Sequence, residues 1–188
     1  AHNNLGIILK NNGNLIEAEI SIRKAIKLNP NLAIAHNNLG NTLKNLGKIE
    51  EAKISIQKAI NLNPISHEFN NNLGSILIEE GNLKEANIFI QKAIKLKSDY
   101  AFAHSNLSII LNSFGKSKEA KESIKKAIDI DPNLYESHNN LGRILIDLGN
   151  SKEAEVSILK AIKLNPNYPE AYNNLGIIYI NNGKPREA

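Results

Sequence analysis

Glycine recurs in this chain on a fixed ruler. Gly6, Gly40, Gly74, Gly142 and Gly176 stand in one column at a spacing of 34 residues, and Ser108 fills the one gap. Leu5, Leu39, Leu73, Leu107, Leu141 and Leu175 precede them. A second glycine column runs Gly13, Gly47, Gly81, Gly115, Gly149 and Gly183. Alanine fills two more: Ala18, Ala52, Ala86, Ala120, Ala154 and Ala188, then Ala25, Ala59, Ala93, Ala127 and Ala161. Pro30, Pro64, Pro132 and Pro166 close the units, with Ser98 in the odd one. No insertion or deletion breaks the register. A fixed period of this length marks a repeat architecture, in which each unit buries its apolar face on its neighbours. The 188 residues hold five full periods and 18 more. Ala1 falls in mid-pattern, so we expect the chain to be a piece of something longer.

Each period reads as two helices. On a wheel of 100° per residue, His2, Leu5, Gly6 and Leu9 share one arc, the stripe of an amphipathic helix. Gly13 stops that helix. The second starts near Leu15, with Glu17 in its first turn, where a carboxylate suits the helix dipole. That glutamate recurs as Glu51, Glu85, Glu119, Glu153 and Glu187. Ala18, Ile22, Ala25, Ile26 and Leu28 form its expected buried stripe, and Pro30 ends the unit. The apolar period is 3.6 and not 2, which excludes strands despite the abundant isoleucine. Gly6 and Ala18 let two antiparallel backbones approach closely, and Ala25 does the same toward the next unit. The expected fold is therefore all-α, a solenoid of antiparallel helix hairpins.

Composition removes several function classes. The chain has no Cys, which excludes a disulfide scaffold, a thiol nucleophile and a Cys-based metal site. No apolar run is long enough for a membrane span, and no signal peptide is present. A cytoplasmic location is expected from those missing signals alone. The net charge is +4 and aromatics are 5%. Nucleic-acid binding would need a denser basic stripe with aromatics, so neither nucleic acid nor membrane is an expected partner. Lysines and Arg23 fall mostly on the second helices, interleaved with Glu19, Glu122 and Glu155, and read as a solvated face.

The Leu-Gly pair, the later Gly, the two Ala and the Pro at this spacing resemble the tetratricopeptide repeat (TPR) family, over the whole chain. The resemblance implies a right-handed superhelix with a concave groove that binds peptides and proteins. It divides the chain into a partial repeat 1–32, repeats 33–66, 67–100, 101–134 and 135–168, and a partial repeat 169–188, in a single array. The family's aromatic beside Leu-Gly is here His2, His36, Asn70, His104 and His138, with Tyr172 nearest the ordinary pattern. Its second-helix aromatic is replaced by Ile22, Ile56, Ile90, Ile124 and Ile158. Asn70 and Ser98 suggest that the third unit packs a little differently. A finer resemblance lies in Ala35-His36-Asn37-Asn38-Leu39-Gly40-Asn41 and Ala103-His104-Ser105-Asn106-Leu107. These segments look like repeats of the O-GlcNAc transferases, whose groove carries a ladder of asparagines.

The matching column is Asn4, Asn38, Asn72, Asn106, Asn140 and Asn174. On the wheel these point away from the buried stripe and are expected to face solvent. Asn is a poor helix former, so each costs its unit a few tenths of a kcal/mol. A carboxamide offers both donor and acceptor, so it can pair with the backbone of an extended peptide. With helices ~10 Å apart and a peptide rise of ~3.3 Å per residue, one Asn could hold roughly every third peptide residue. The competing explanation is that Asn is common here, 30 of 188 residues, and that duplication copied it. The adjacent column, Asn3, Asn37, Asn71, Ser105, Asn139 and Asn173, is read as solvating the edge. Specificity is expected from groove positions that vary between units. These include Asn41, Arg143, and an apolar spot of Phe102 and Ile109, seven residues apart on one helix face.

No cofactor is expected, and no catalytic constellation is found: neither a phosphate loop nor H-E-x-x-H occurs. The one-per-unit histidines cannot converge on one metal ion, and they read as core residues. The leading expectation is a scaffold that binds protein or extended peptide. An alternative is the substrate-recruiting part of a larger O-GlcNAc-transferase-like enzyme. A further one is a structural module whose open ends stack copies end to end.

Overall fold

The turn inside each repeat is closed by glycine. At Gly47, φ is +74°, a left-handed conformation that costs a residue with a Cβ about 1 kcal/mol or more. It lets the Lys48 N–H donate to the Leu43 carbonyl and the Gly47 N–H to that of Lys44, each at 2.9 Å. That pair of bonds satisfies carbonyls the helix end would otherwise leave open. Between repeats, Asn29-Pro30-Asn31 makes a second kind of turn. The Asn31 N–H donates to the Asn29 side chain, and Asp131 and Asn165 do the same for Asn133 and Asn167.

A computed structural model describes residues 1–181 and Gly183. Among them are eleven α-helices and no strand. The chain divides into two compact units, Ala1–Lys97 and Ser98–Ala188. The first holds α1 (His2–Asn11), α2 (Leu15–Leu28), α3 (Ala33–Asn45), α4 (Ile49–Leu62), α5 (His67–Glu79) and α6 (Leu83–Leu96). These pair as three hairpins, with α2 against α3 and α4 against α5. The second holds α7 (Ala101–Ser113), α8 (Ser117–Ile130), α9 (Tyr135–Asp147), α10 (Ser151–Leu164) and α11 (Pro169–Asn181). Here α7 pairs with α8 and α9 with α10, while α8 packs on α9 and α10 on α11. In each unit the first helices of adjacent hairpins also touch, so they form one face and the second helices another.

The columns explain the core. Ala18, Ile22, Ala52, Ile56, Ala86 and Ile90 have no exposed surface, and Ala120, Ile124, Ala154 and Ile158 repeat this in the second unit. Ile22, Ile56, Ile90 and Ile158 each lie over the glycine of the partner helix. A Cβ on Gly40 would stand 2.3 Å from Ile56 Cγ1 and 3.0 Å from the Ala52 carbonyl oxygen. Ser108, the exception in that column, is buried and turns its hydroxyl back to donate to the Ser105 carbonyl at 2.7 Å.

Two expectations are corrected. Leu28, the last residue of α2, is 71% exposed and does not belong to the buried stripe. Leu5 is also exposed on α1, while Leu39 and Leu73 in the same column are buried. The third repeat does pack differently. Asn70 is buried and donates to the Ser66 carbonyl at 2.7 Å, one turn back, and Ser66 also caps α5 by accepting from the Phe69 N–H. Glu187 and Ala188, assigned above to the repeat columns, lie outside the described residues, as does most of the chain after Asn181.

Candidate peptide-binding face

The asparagine column lies on the first helices α1, α3, α5, α7, α9 and α11. It is less open than the helical wheel suggests. Asn4 is exposed, Asn38 is buried, and Asn72, Asn106, Asn140 and Asn174 are half-buried. The reason is a bond between hairpins. In the first unit Asn38 Nδ2 donates to Asn3 Oδ1 at 3.0 Å, and Asn72 Nδ2 to Asn37 Oδ1 at 2.9 Å. In the second, Asn140 Nδ2 donates to the Ser105 hydroxyl at 3.1 Å and Asn174 Nδ2 to Asn139 Oδ1 at 2.8 Å.

The column read as solvating the edge is therefore corrected. Asn37, Asn71, Ser105 and Asn139 are at most 5% exposed, and three of them accept the next repeat's carboxamide. A buried polar side chain needs such a partner. The two columns were both visible in the sequence. What the wheel missed is that they meet at a step of 35 residues, one more than the period, across the join between repeats. Each bond uses one N–H of Asn38, Asn72, Asn140 or Asn174. The second N–H and the carbonyl oxygen of these four make no further bond to a described residue.

The variable positions sort into groups. Ile109, Asn140 and Arg143 come together around a shallow depression with Ser108, Asn112 and Ile144. Arg143 is exposed and has no ion-pair partner among the described residues. Phe102 is exposed, but its ring lies beside Tyr100, with centroids 5.7 Å apart, and it does not line the depression that holds Ile109. Asn41 is half-buried on α3. Near it, Lys44 bridges to Glu79 and reaches the Ser75 hydroxyl at 3.3 Å, joining α3 to α5. On the second unit Asn112 donates to Asp147 in the same relation.

An aromatic pair stands at the start of α9 and α11. Tyr135 and Tyr168 meet edge-on with centroids 4.9 Å apart. The Tyr168 phenol is pushed up to about 12, first by burial and then by the carboxylates of Glu170 and Glu136. Burial, then Glu136, also raises Tyr135.

The histidines act on the linkers. Nε2 of His36, His104 and His138 lies 2.8–2.9 Å from the carbonyl oxygens of Pro30, Ser98 and Pro132, six residues back. The Tyr172 hydroxyl donates to the Pro166 carbonyl at 3.1 Å, so His and Tyr do one job in this column. Among the described residues no group of three His, Asp or Glu is placed to hold a metal, and no helix is long and apolar enough to cross a membrane.

Profiles described as Tetratricopeptide repeat match residues 1–32, 22–54, 67–100, 103–134, 135–168 and 157–188. The chain belongs to the tetratricopeptide repeat family. Among solved structures, this TPR chain is similar to TTC0263, a thermophilic TPR protein in Thermus thermophilus. The TM-score is 0.82 and the identity 19%, over 95% of this chain and 97% of that one. It is also similar to MamA, with a TM-score of 0.66 and 27% identity over 86% of this chain and 94% of that one. A third is YrrB, described as a TPR protein with an unusual peptide-binding site, at a TM-score of 0.62 and 23% identity over 92% and 89%. No curated protein sequence matches the chain. These comparisons carry the fold, a TPR helical solenoid.

Proposed function

We propose that this TPR chain is a scaffold that holds an extended peptide along its first-helix face. The observation behind the proposal is the asparagine column. Asn38, Asn72, Asn140 and Asn174 are each anchored by one N–H and retain an acceptor and a donor. A fixed carboxamide is well suited to a peptide backbone, because its orientation is set before the ligand arrives. Asn4, Asn106 and Asn41 extend the same face, and Phe102, Ile109 and Arg143 would select side chains. The repeat matches along the chain support reading residues 1–188 as one array.

A random-sequence peptide library supplies the test. Binders should shift the side-chain amide resonances of the asparagine column, and Ile109→Asp with Arg143→Glu should weaken them while leaving the helical circular dichroism unchanged. A library without binders, or binders that move only second-helix resonances, would overturn the proposal. A second reading rests on the same column together with the Ala35–Asn41 segment. On it, the chain recruits substrates for a larger O-GlcNAc-transferase-like enzyme. That reading requires a glycosyltransferase region in the same open reading frame, and a complete frame without one ends it.

A further inference from the structure

A row of large aliphatic side chains stands on the opposite face. Ile20, Ile54 and Ile88 occur once per second helix at the repeat spacing, on α2, α4 and α6, and are 63%, 70% and 65% exposed. Nothing in the hairpin packing uses them. Grooves open on both sides of Ile54. One, of roughly 430 Å³, lies between α2 and α4, floored by Ile26 and Leu39 and rimmed by Arg23, Lys27 and Lys58. The other, of roughly 500 Å³, lies between α4 and α6 over Leu73 and Leu77, with Lys53 and Lys58 on its rim and Glu85 at its far side. Ile54 and Lys58 line both.

The charges give the occupant its sign. Arg23 is held by Glu19 and Glu51, and Lys53 by Glu50 and Glu80. Lys27 and Lys58 have no ion-pair partner among the described residues. The charge of the chain is also one-sided. Residues 1–97 carry twelve Lys and Arg against eight Glu, while residues 98–188 carry eleven cations and eleven anions. All of the net +4 therefore belongs to the first unit. On α8, in the second unit, Glu122 stands in the column of Ile54 and Asp129 in that of Lys27, so those positions present anions instead.

We propose that the second-helix face of residues 1–97 is a docking site for an acidic amphipathic segment of a partner protein. Its apolar side chains would seat in the two grooves beside Ile54, and its carboxylates would face Lys27 and Lys58. Contiguous exposed aliphatic surface rimmed by polar groups is a mark of an interaction site, and opposite charge at the rim sets the choice of partner. The lining is aliphatic apart from the His36 imidazole, which is tied to the Pro30 carbonyl, and offers no Phe, Tyr or Trp on which bases could stack, which favours an acidic peptide over a nucleic acid. On such a segment, apolar residues seven apart lie ~10 Å apart along a helix rising ~1.5 Å per residue, an interval that lets successive ones enter separate grooves.

The experiment uses the whole chain and a fluorescent synthetic helix bearing leucines at that interval among glutamates, read by anisotropy. A peptide with lysine in place of every glutamate is the control. The acidic peptide should bind, the basic one should not, and added salt should weaken binding. Ile54→Glu copies the residue that α8 already carries and is expected to weaken binding by about ten-fold or more, as is Lys27→Glu with Lys58→Glu. Ile109→Asp with Arg143→Glu, which weakens ligands of the first-helix face, should leave the affinity for the acidic peptide as it was, which separates this site from the asparagine column. Failure of the acidic peptide to bind, equal binding to Ile54→Glu, or its displacement by a single-stranded oligonucleotide at lower concentration would each overturn the proposal.

Discussion

At the scale of single residues, the tightest constraint is the space over the first glycine column. Gly40→Ala would place a methyl 2.3 Å from Ile56 Cγ1, and Ile56 is β-branched and fully buried, so it cannot swing aside. Thermal unfolding should show a loss of ~1–3 kcal/mol, and in an Ile56→Ala background, where the clashing γ-carbon is gone, the same Gly40→Ala change should cost less. Tyr168 offers a second test. Its phenol is raised to about 12 by burial and by Glu170 and Glu136, so the neutral form is favoured in the folded chain. The associated stability is complete below the ordinary tyrosine pKa of about 10 and falls as pH rises toward about 12. In a spectrophotometric titration, Tyr168→Phe should remove a step near pH 12. These residue roles were unequally legible. Gly40 and Ile56 announce themselves by column. Nothing in the sequence says that Tyr168 will meet Tyr135, because that contact joins a linker residue to the helix of another repeat.

Helices in each unit are joined by polar bonds as well as by the core. Glu19 on α2 is only 13% exposed and accepts from Lys48, just ahead of α4, at 2.9 Å and from Arg23 at 2.8 Å, while Arg23 reaches Glu51 on α4. It is not the solvated surface charge its position suggests. Lys48, then Arg23, holds its carboxyl below the usual range against the opposing effect of burial. A depressed carboxylate stabilises the fold above its unfolded-state pKa, and the effect is lost as pH falls through the lower folded value. Glu19→Gln should therefore cost roughly 0.5–1 kcal/mol near neutral pH, since its partners are half exposed. The melting temperatures of the two proteins should converge in acid. Helix boundaries were legible throughout: the start at Leu15 and the stop at Gly13 follow from glycine and proline chemistry. The bonds between helices were not, because a wheel describes one helix at a time. Asn37 is the clearest case, polar on its own helix yet buried by the next.

For the molecule as a whole, each unit has its own core. Residues 1–97 bury Ile22, Ile56, Ile90, Leu43 and Leu77, and three complete hairpins pair inside the unit. In repeat proteins stability comes from each repeat and its nearest neighbours. A fragment of residues 1–97 should accordingly fold by itself, with a cooperative helical melt, and an unfolded fragment would count against that independence. It should also keep all of the excess positive charge, which ion-exchange elution can check. The bond that steps 35 residues, from Asn38 to Asn3 and from Asn72 to Asn37, has one more consequence. Within each unit, one hairpin presents a socket and the next a plug, cut to the same pattern. Whole periods can be copied or excised in a gene with the joints still mating, whereas a single codon gained in a linker would leave plug and socket facing past each other.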